Sequence, residues 1–120
     1  MDLVDEQLQN TKTIAVVGLS GDPERISFKV SRYMQEQGYR IIPVNPLIDE
    51  TLGEKSYPDL ISVPEPIDMV NIFRRSELVA PVMEQAIEIG VKYIWMQDGV
   101  VNQDWAAKAE AAGIPVIMDD

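Results

Sequence analysis

Residues 13–27 constrain this chain more than any other stretch. The apolar run Ile14-Ala15-Val16-Val17 breaks at Gly18, passes through Leu19-Ser20-Gly21-Asp22-Pro23, and gives way to an amphipathic helical pattern. That order reads as strand, glycine turn and helix start. Such a turn gathers unpaired backbone N–H groups and the positive end of a helix dipole at one point, a common way for an α/β protein to hold phosphate.

The rest of the chain repeats the alternation. Residues 2–10 suit a short helix with Leu3, Val4 and Leu8 on one side. From Pro23 or Arg25 to Gln37, residues Ile26, Val30, Tyr33 and Met34 occupy the i, i+4, i+7 and i+8 positions of one helix face, and Gly38 stands where a C-terminal cap belongs. Arg40–Val44 is the second strand, ended by Asn45-Pro46 because proline restricts its predecessor and lacks a donor. Residues 47–66, with Gly53, Pro58, Pro64 and Pro66, read as a long loop holding at most a helical turn near 58–62; such a loop is either functional or a wrapping of the sheet edge.

Asp68–Phe73 forms a third strand, with Arg74-Arg75 at its carboxyl end. Val79, Val82, Met83, Ala86 and Ile87 repeat the helix spacing up to Gly90, provided Pro81 lies in the first turn. Tyr93–Met96 is the fourth strand, Asn102 caps a last helix that Gly113 stops, and Ile114–Met118 is the fifth, its Pro115 pointing to a sheet edge. Together these predict one domain over residues 1–120: an α/β, Rossmann-like three-layer sandwich around a five-stranded parallel sheet of order 3-2-1-4-5. In that order the carboxyl end of the first strand is a topological switch point, and Gly18 to Gly21, Asn45-Pro46 and Phe73-Arg74 converge on one crevice.

Composition narrows the chemistry. A chain of 120 residues buries roughly two-thirds of its unfolded surface and needs no staple. It has no cysteine, which excludes disulfides and thiolate chemistry and makes a cytoplasmic location the default expectation. It has no histidine, which removes the commonest general base and metal ligand. The acidic opening has no leader or anchor pattern, and no apolar run approaches the ~20 residues of a membrane span. A net charge of −10 argues against nucleic acid and anionic membrane as partners. Yet Arg25, Lys29, Arg32 and Arg40 lie close together in sequence and Arg74-Arg75 makes a second basic spot; they are either ordinary solvated faces or the wall of a pocket for a small polyanion.

Gly18-x-x-Gly21 is neither the full dinucleotide fingerprint nor a Walker A loop, and glycines after a buried strand can be mere turn formers. Ser20 and Ser27 offer hydroxyls, and Arg25 and Lys29 offer charge, beside the helix start, against the alternative of cap and solvent. A dinucleotide protein normally carries Asp or Glu after its second strand to bind the ribose; Asn45-Pro46 stands there instead, which leans toward a phosphorylated adenosine. Phe73 is either core or a surface for the ligand.

The series Val16-Val17-Gly18-Leu19-Ser20, Pro23-x-Arg25-x-Ser27, Gly38 to Pro46, Leu52-Gly53, Tyr57-Pro58, Val70 to Arg74 and Ile94 to Val100 resembles the stand-alone coenzyme A-binding domain family, and more distantly is similar to the coenzyme A-binding domain of the succinyl-CoA synthetase α subunit. The resemblance implies coenzyme A or an acyl-CoA as cofactor, phosphates held by Gly18, Leu19, Ser20, Arg25 and Ser27, adenosine beside Asn45 and Pro46, and a cofactor border at Phe73 and Arg74. With Gly21 and Lys29 from the turn and helix, these are the candidate binding residues. Two departures stand out: Asp98 where the family commonly has an apolar residue, and Asp119-Asp120 where the family continues into an Arg-Cys and a basic tail.

The synthetase relatives transfer phosphoryl groups through a histidine, which this sequence lacks, and no other catalytic constellation or metal cluster stands out. The reading is a non-catalytic carrier, sensor or partner module, with room for a protein partner or a homo-oligomer. The alternatives are a nucleotide- or NAD-dependent enzyme or a ligase subunit completed by a second chain, and a structural domain whose crevice is vestigial.

Overall fold

A computed structural model describes residues 7–97 and 100–118. The first residues of the expected N-terminal helix, Asp98, Gly99, Asp119 and Asp120 lie outside the described residues; residues 7–9 are helical. The elements are β1 (Thr13–Val17), α1 (Ile26–Glu36), β2 (Arg40–Val44), the short strands β3 (Glu50–Thr51) and β4 (Glu54–Lys55), β5 (Met69–Ile72), a 3-10 turn at Ser76–Leu78, α2 (Ala80–Ile89), β6 (Tyr93–Met96), α3 (Gln103–Ala111) and β7 (Val116–Ile117). Pro81 lies in the first turn of α2, Gly90 ends it at φ 71°, and the Asn102 side chain accepts from the Trp105 N–H at 3.1 Å to cap α3.

Five strands form one parallel sheet, as expected of a Rossmann-like α/β chain, but their order is β2-β1-β5-β6-β7. Counting those five strands along the chain, the expected 3-2-1-4-5 is corrected to 2-1-3-4-5. The third strand enters between the first and fourth instead of beyond the second. All four residues of β5 are buried, so β5 is covered on both faces, and one physical reason for the order is visible in β2. Pro43 puts a residue without an N–H into β2, and its carbonyl accepts from Tyr57 N–H at 3.0 Å on the side away from β1. The proline thus marks β2 as an edge, as Pro115 does for the far side.

Alternation along β1 divides the core into two. Ala15 and Val17 face a cluster with Val70, Ile72, Val79, Met83, Ala86 and Ala109, which packs α2 and α3 on one side of the sheet. Ile14 and Val16 join Leu19, Ile41 and Met69 on the other, with Met34 of α1 against them. The inward face of α1 differs from the expected apolar stripe. Ser27 and Ser31 are its buried residues, whereas Ile26 and Tyr33 are 66% and 59% exposed. Small side chains at i and i+4 let a helix lie close on a sheet, while Val30 and Met34 are half-buried and Ile26 and Tyr33 are turned outward.

Residues 47–66 are not a bare loop. β3 and β4 make an antiparallel hairpin whose turn, Leu52-Gly53, has φ of 55° and 74°, the paired positive values of a tight hairpin turn. Arg40 anchors this segment, donating Nε and Nη2 to Glu65 at 3.1 and 3.0 Å and Nη1 to Glu54 at 2.7 Å. The Glu65 carboxyl is held below its ordinary range by that bond, and the Arg40 guanidinium is raised. No helix among the described residues is long and apolar enough to cross a membrane.

Candidate functional site

The chain leaves β1 toward β2 on one side and returns to β5 on the other, so the switch point lies between β1 and β5. There the backbone is drawn tight. The Gly18 N–H donates to Val44 O at 2.9 Å and the Phe73 N–H to Val17 O at 2.8 Å, so Gly18 sits between the ends of β2 and β5 at φ 87°. A Cβ at position 18 would lie 2.3 Å from the Phe73 carbonyl oxygen, which only glycine avoids.

The loop that follows is organised by short side chains. Ser20 N–H donates to Ser27 Oγ at 3.1 Å, Asp22 N–H to Ser20 Oγ at 2.9 Å, and Glu24 N–H to Asp22 Oδ1 at 2.9 Å. Both serine oxygens accept within the loop, which leaves their hydroxyl protons for an outside acceptor. α1 begins after Arg25 without a side-chain cap, so its first-turn N–H groups are open to a ligand. Gly21 has ordinary φ and nothing within 4 Å of a Cβ, unlike Gly18.

A cleft of about 620 Å³ opens at this point. Of the candidate residues, Gly18, Ser20, Gly21, Arg25 and Ser27 line its β1–α1 side, and Asn45, Phe73 and Arg74 line it from the ends of β2 and β5. Leu19, Lys29 and Pro46 do not. Leu19 is wholly buried and packs beneath the loop, while Lys29 and Pro46 are exposed beyond the rim.

Asn45 serves as a brace more than as an open contact. Its Nδ2 donates to Leu19 O at 3.1 Å and its Oδ1 accepts from the Leu47 N–H at 2.9 Å. Thr51 of the hairpin donates to Ser20 O at 3.3 Å, so β3 steadies the glycine loop from outside. Nothing in the sequence marked Thr51 for that role, because the two-residue strand that carries it was not legible.

The cleft also takes in residues not singled out as contacts. Arg75 and Gln97 add polar groups, and Ile26, Leu47, Ile48 and Val100 add apolar surface. The Gln97 side chain donates to Asn71 Oδ1, which satisfies a buried amide in β5. Leu47, 88% exposed, and Ile26 are large apolar side chains facing solvent at the cleft mouth.

Three arginines and no carboxylate line the cleft among the described residues, on a chain of net charge −10. The basic group anticipated around residues 25–40 is reduced to Arg25. Arg40 starts the strand whose other end leads to the cleft, roughly 16 Å away at the ordinary strand rise, and is tied to its two glutamates. Arg32 lies over the Phe28 ring at 5.7 Å. Arg75 makes an exposed pair with Glu77 at 3.7 Å, worth little. Arg74 lines the cleft, and its Nε is buried with no hydrogen-bond partner among the described residues.

Fold and cleft together define a Rossmann-like α/β domain with an arginine-lined crevice at its switch point. The chain belongs to the CoA binding domain family, which it matches over residues 12–120. It is 48% identical over 116 residues to the uncharacterized protein YneT of Bacillus subtilis, covering 97% of this chain and 86% of that protein. A hypothetical protein from Pyrococcus horikoshii superposes with a TM-score of 0.93 at 38% identity, over 97% of this chain and 82% of that one. The α subunit of an ADP-forming acetate–CoA ligase of Pyrococcus furiosus is 32% identical over 84 residues, covering 69% of this chain but 18% of the ligase subunit.

Proposed function

We propose that this chain binds coenzyme A or an acyl-CoA in the crevice, as a non-catalytic module. The observation that carries the reading is the cleft lining itself: three arginines, an uncapped helix start and a glycine turn, with no carboxylate among the described residues. The diphosphate lies against Ser20, Gly21, Ser27 and the first turn of α1, with Arg25 supplying charge. Adenosine lies beyond Asn45, against Leu47 and Ile48, whose exposed apolar surface suits a purine face. Phe73 and Arg74 border the pantetheine arm. Leu19 takes part by its backbone, and Lys29 and Pro46 act from outside the cleft.

Thermal denaturation with coenzyme A, dephospho-coenzyme A and NAD at equal concentration tests this. A ligand at 100 times its Kd stabilises the native state by about 2.7 kcal/mol, which for a domain of this size raises Tm by roughly 8–15 °C. Coenzyme A gives the largest shift, dephospho-coenzyme A a smaller one and NAD little. If NAD gives the largest shift, a dinucleotide enzyme replaces this reading.

A second reading keeps the ligand and adds a partner chain. It is favoured by the similarity to ADP-forming ligases, of which this chain spans 12% of an Archaeoglobus fulgidus protein and 18% of the Pyrococcus furiosus subunit. Without a histidine, this chain would need its partner to supply any phosphoryl carrier of that kind.

A further inference from the structure

A second cavity, of about 260 Å³, lies behind Arg74, on the α2 side of the crevice. Its wall is largely apolar: Val17 and Val44 from the strand ends, Leu60, and Leu78 and Val82 from the turn into α2. Gln85 closes it by accepting the Leu60 and Ile61 N–H groups at 3.0 and 3.3 Å. A hollow between the two shares Gly18 and Phe73 with the crevice, and Arg74 and Leu78 with the smaller cavity. Arg74 lines all three, and its Nε is buried without an acceptor among the described residues.

Resting on the coenzyme reading of the crevice, we propose that the smaller cavity takes a neutral acyl chain of a coenzyme A thioester, whose carbonyl oxygen accepts from the Arg74 guanidinium at the cavity wall. Free coenzyme A ends in a thiol and offers neither a carbonyl to Arg74 nor carbon to the apolar wall, so the cavity distinguishes the thioester from the free cofactor. A methylene displaces about the volume of a water, ~30 Å³, so four to six carbons occupy a substantial part of the cavity. The carboxylate on its rim, Asp59, is fixed by the Ser62 N–H at 2.9 Å and hydroxyl at 2.7 Å. Its charge opposes an acidic acyl group such as succinyl.

Calorimetric titration of the full chain with coenzyme A, butyryl-, hexanoyl- and succinyl-CoA tests the assignment. A fully buried methylene tightens binding by about fourfold, so hexanoyl-CoA with the equivalent of two methylenes buried binds about tenfold more tightly than coenzyme A, and succinyl-CoA no more tightly. Val82→Phe fills the cavity and removes the hexanoyl preference while coenzyme A still binds. Should that variant not fold, Leu78→Ser, at a side chain 41% exposed, lowers the same preference without deep repacking. Arg74→Lys keeps the charge but loses the planar guanidinium donors, and weakens hexanoyl-CoA more than coenzyme A. If coenzyme A binds and the acyl forms bind no better, the acyl cavity is refuted while the crevice reading stands. If neither coenzyme A nor any thioester binds, the crevice reading fails and this one with it.

Discussion

Gly18→Ala measures how tightly the chain is drawn at the switch point. The new methyl would lie 2.3 Å from Phe73 O and 3.1 Å from Phe73 C, at a residue of φ 87°. Positive φ costs an L-residue about 1–2 kcal/mol. Relieving the overlap requires the ends of β1 and β5 to part by on the order of 1 Å, an overpacking cost of about 1–3 kcal/mol. The bond from Phe73 N–H to Val17 O, now 2.8 Å, would lengthen in the process. The sum is about 2–5 kcal/mol, equivalent to a fall in Tm of roughly 8–20 °C. Urea denaturation should show a lower midpoint at an unchanged slope, the mark of lost stability without a changed denatured state. Gly21→Ala is the control: it has ordinary φ and open space, so stability changes by less than about 0.5 kcal/mol, while the methyl projects into the cleft and weakens the ligand. A Gly18→Ala protein as stable as wild type would refute the close approach of β1 and β5, and equal losses at both glycines would refute the distinction between a structural and a ligand-facing glycine.

Two further expectations concern the frame around the site. Asp68 accepts the Lys12 and Thr13 N–H groups at 2.9 and 3.1 Å and faces Lys92 Nζ at 3.4 Å. Burial pushes its carboxyl up, but these partners together outweigh burial and hold it below its ordinary value of 3.8. A carboxyl depressed in the fold stabilises above its unfolded value and loses that contribution as pH falls through the folded one. Asp68→Asn therefore costs about 1–2 kcal/mol in urea denaturation at pH 7, and the gap to wild type narrows below about pH 4; a gap independent of pH would assign the effect to packing. Leu52 holds φ 55° in the hairpin turn while its side chain packs on the core beside α1. Leu52→Ala loses that packing at unchanged strain, about 2 kcal/mol, whereas Leu52→Asn regains up to about 1 kcal/mol of backbone strain; Asn less stable than Ala would show that the turn is not strained.

The legible parts of the fold were those where burial writes itself as an apolar run: β1, β2, β5 and β6 stood out, as did α2 with Pro81 in its first turn. Strand order had a signal in Pro43, which lies within the edge strand β2; Pro115 directly precedes the other edge strand, β7. The hairpin was illegible for a different reason. Its strands are two residues each and carry Glu50, Glu54 and Lys55, and its turn is Leu-Gly in place of the usual Asn-Gly. On α1 the fully buried residues are serines, so hydropathy placed the inward face partly round the helix: Met34 packs on the core as expected, whereas Ile26 and Tyr33 are exposed. The eight candidate residues that meet at the cleft do so because each follows the carboxyl end of a parallel strand or opens α1, a consequence of topology more than of motif.

The arrangement of charge ties the far end of the sheet to the near one. This chain carries 20 acidic and 10 basic residues, so an unselected surface pocket would be lined by more carboxylates than cations. The acidic side chains nearest the glycine turn are diverted instead. Asp22 turns back to accept the Glu24 N–H, and both stay outside the cleft lining. At the start of β2, Arg40 gathers Glu54 and Glu65 to itself, and that same grip fixes the hairpin that carries Thr51. Thr51 and Asn45 then hold the carbonyls of Ser20 and Leu19, which fixes the direction in which the loop offers its N–H groups. A donor set held this way needs little reordering when an anion arrives, and an anion entering it meets Arg25, Arg74 and Arg75. The basic crevice on an acidic chain thus rests on placement: Glu54 and Glu65 pair with Arg40 and hold the loop's support away from the cleft, while Arg25 at the start of α1 and Arg74 and Arg75 after β5 line it.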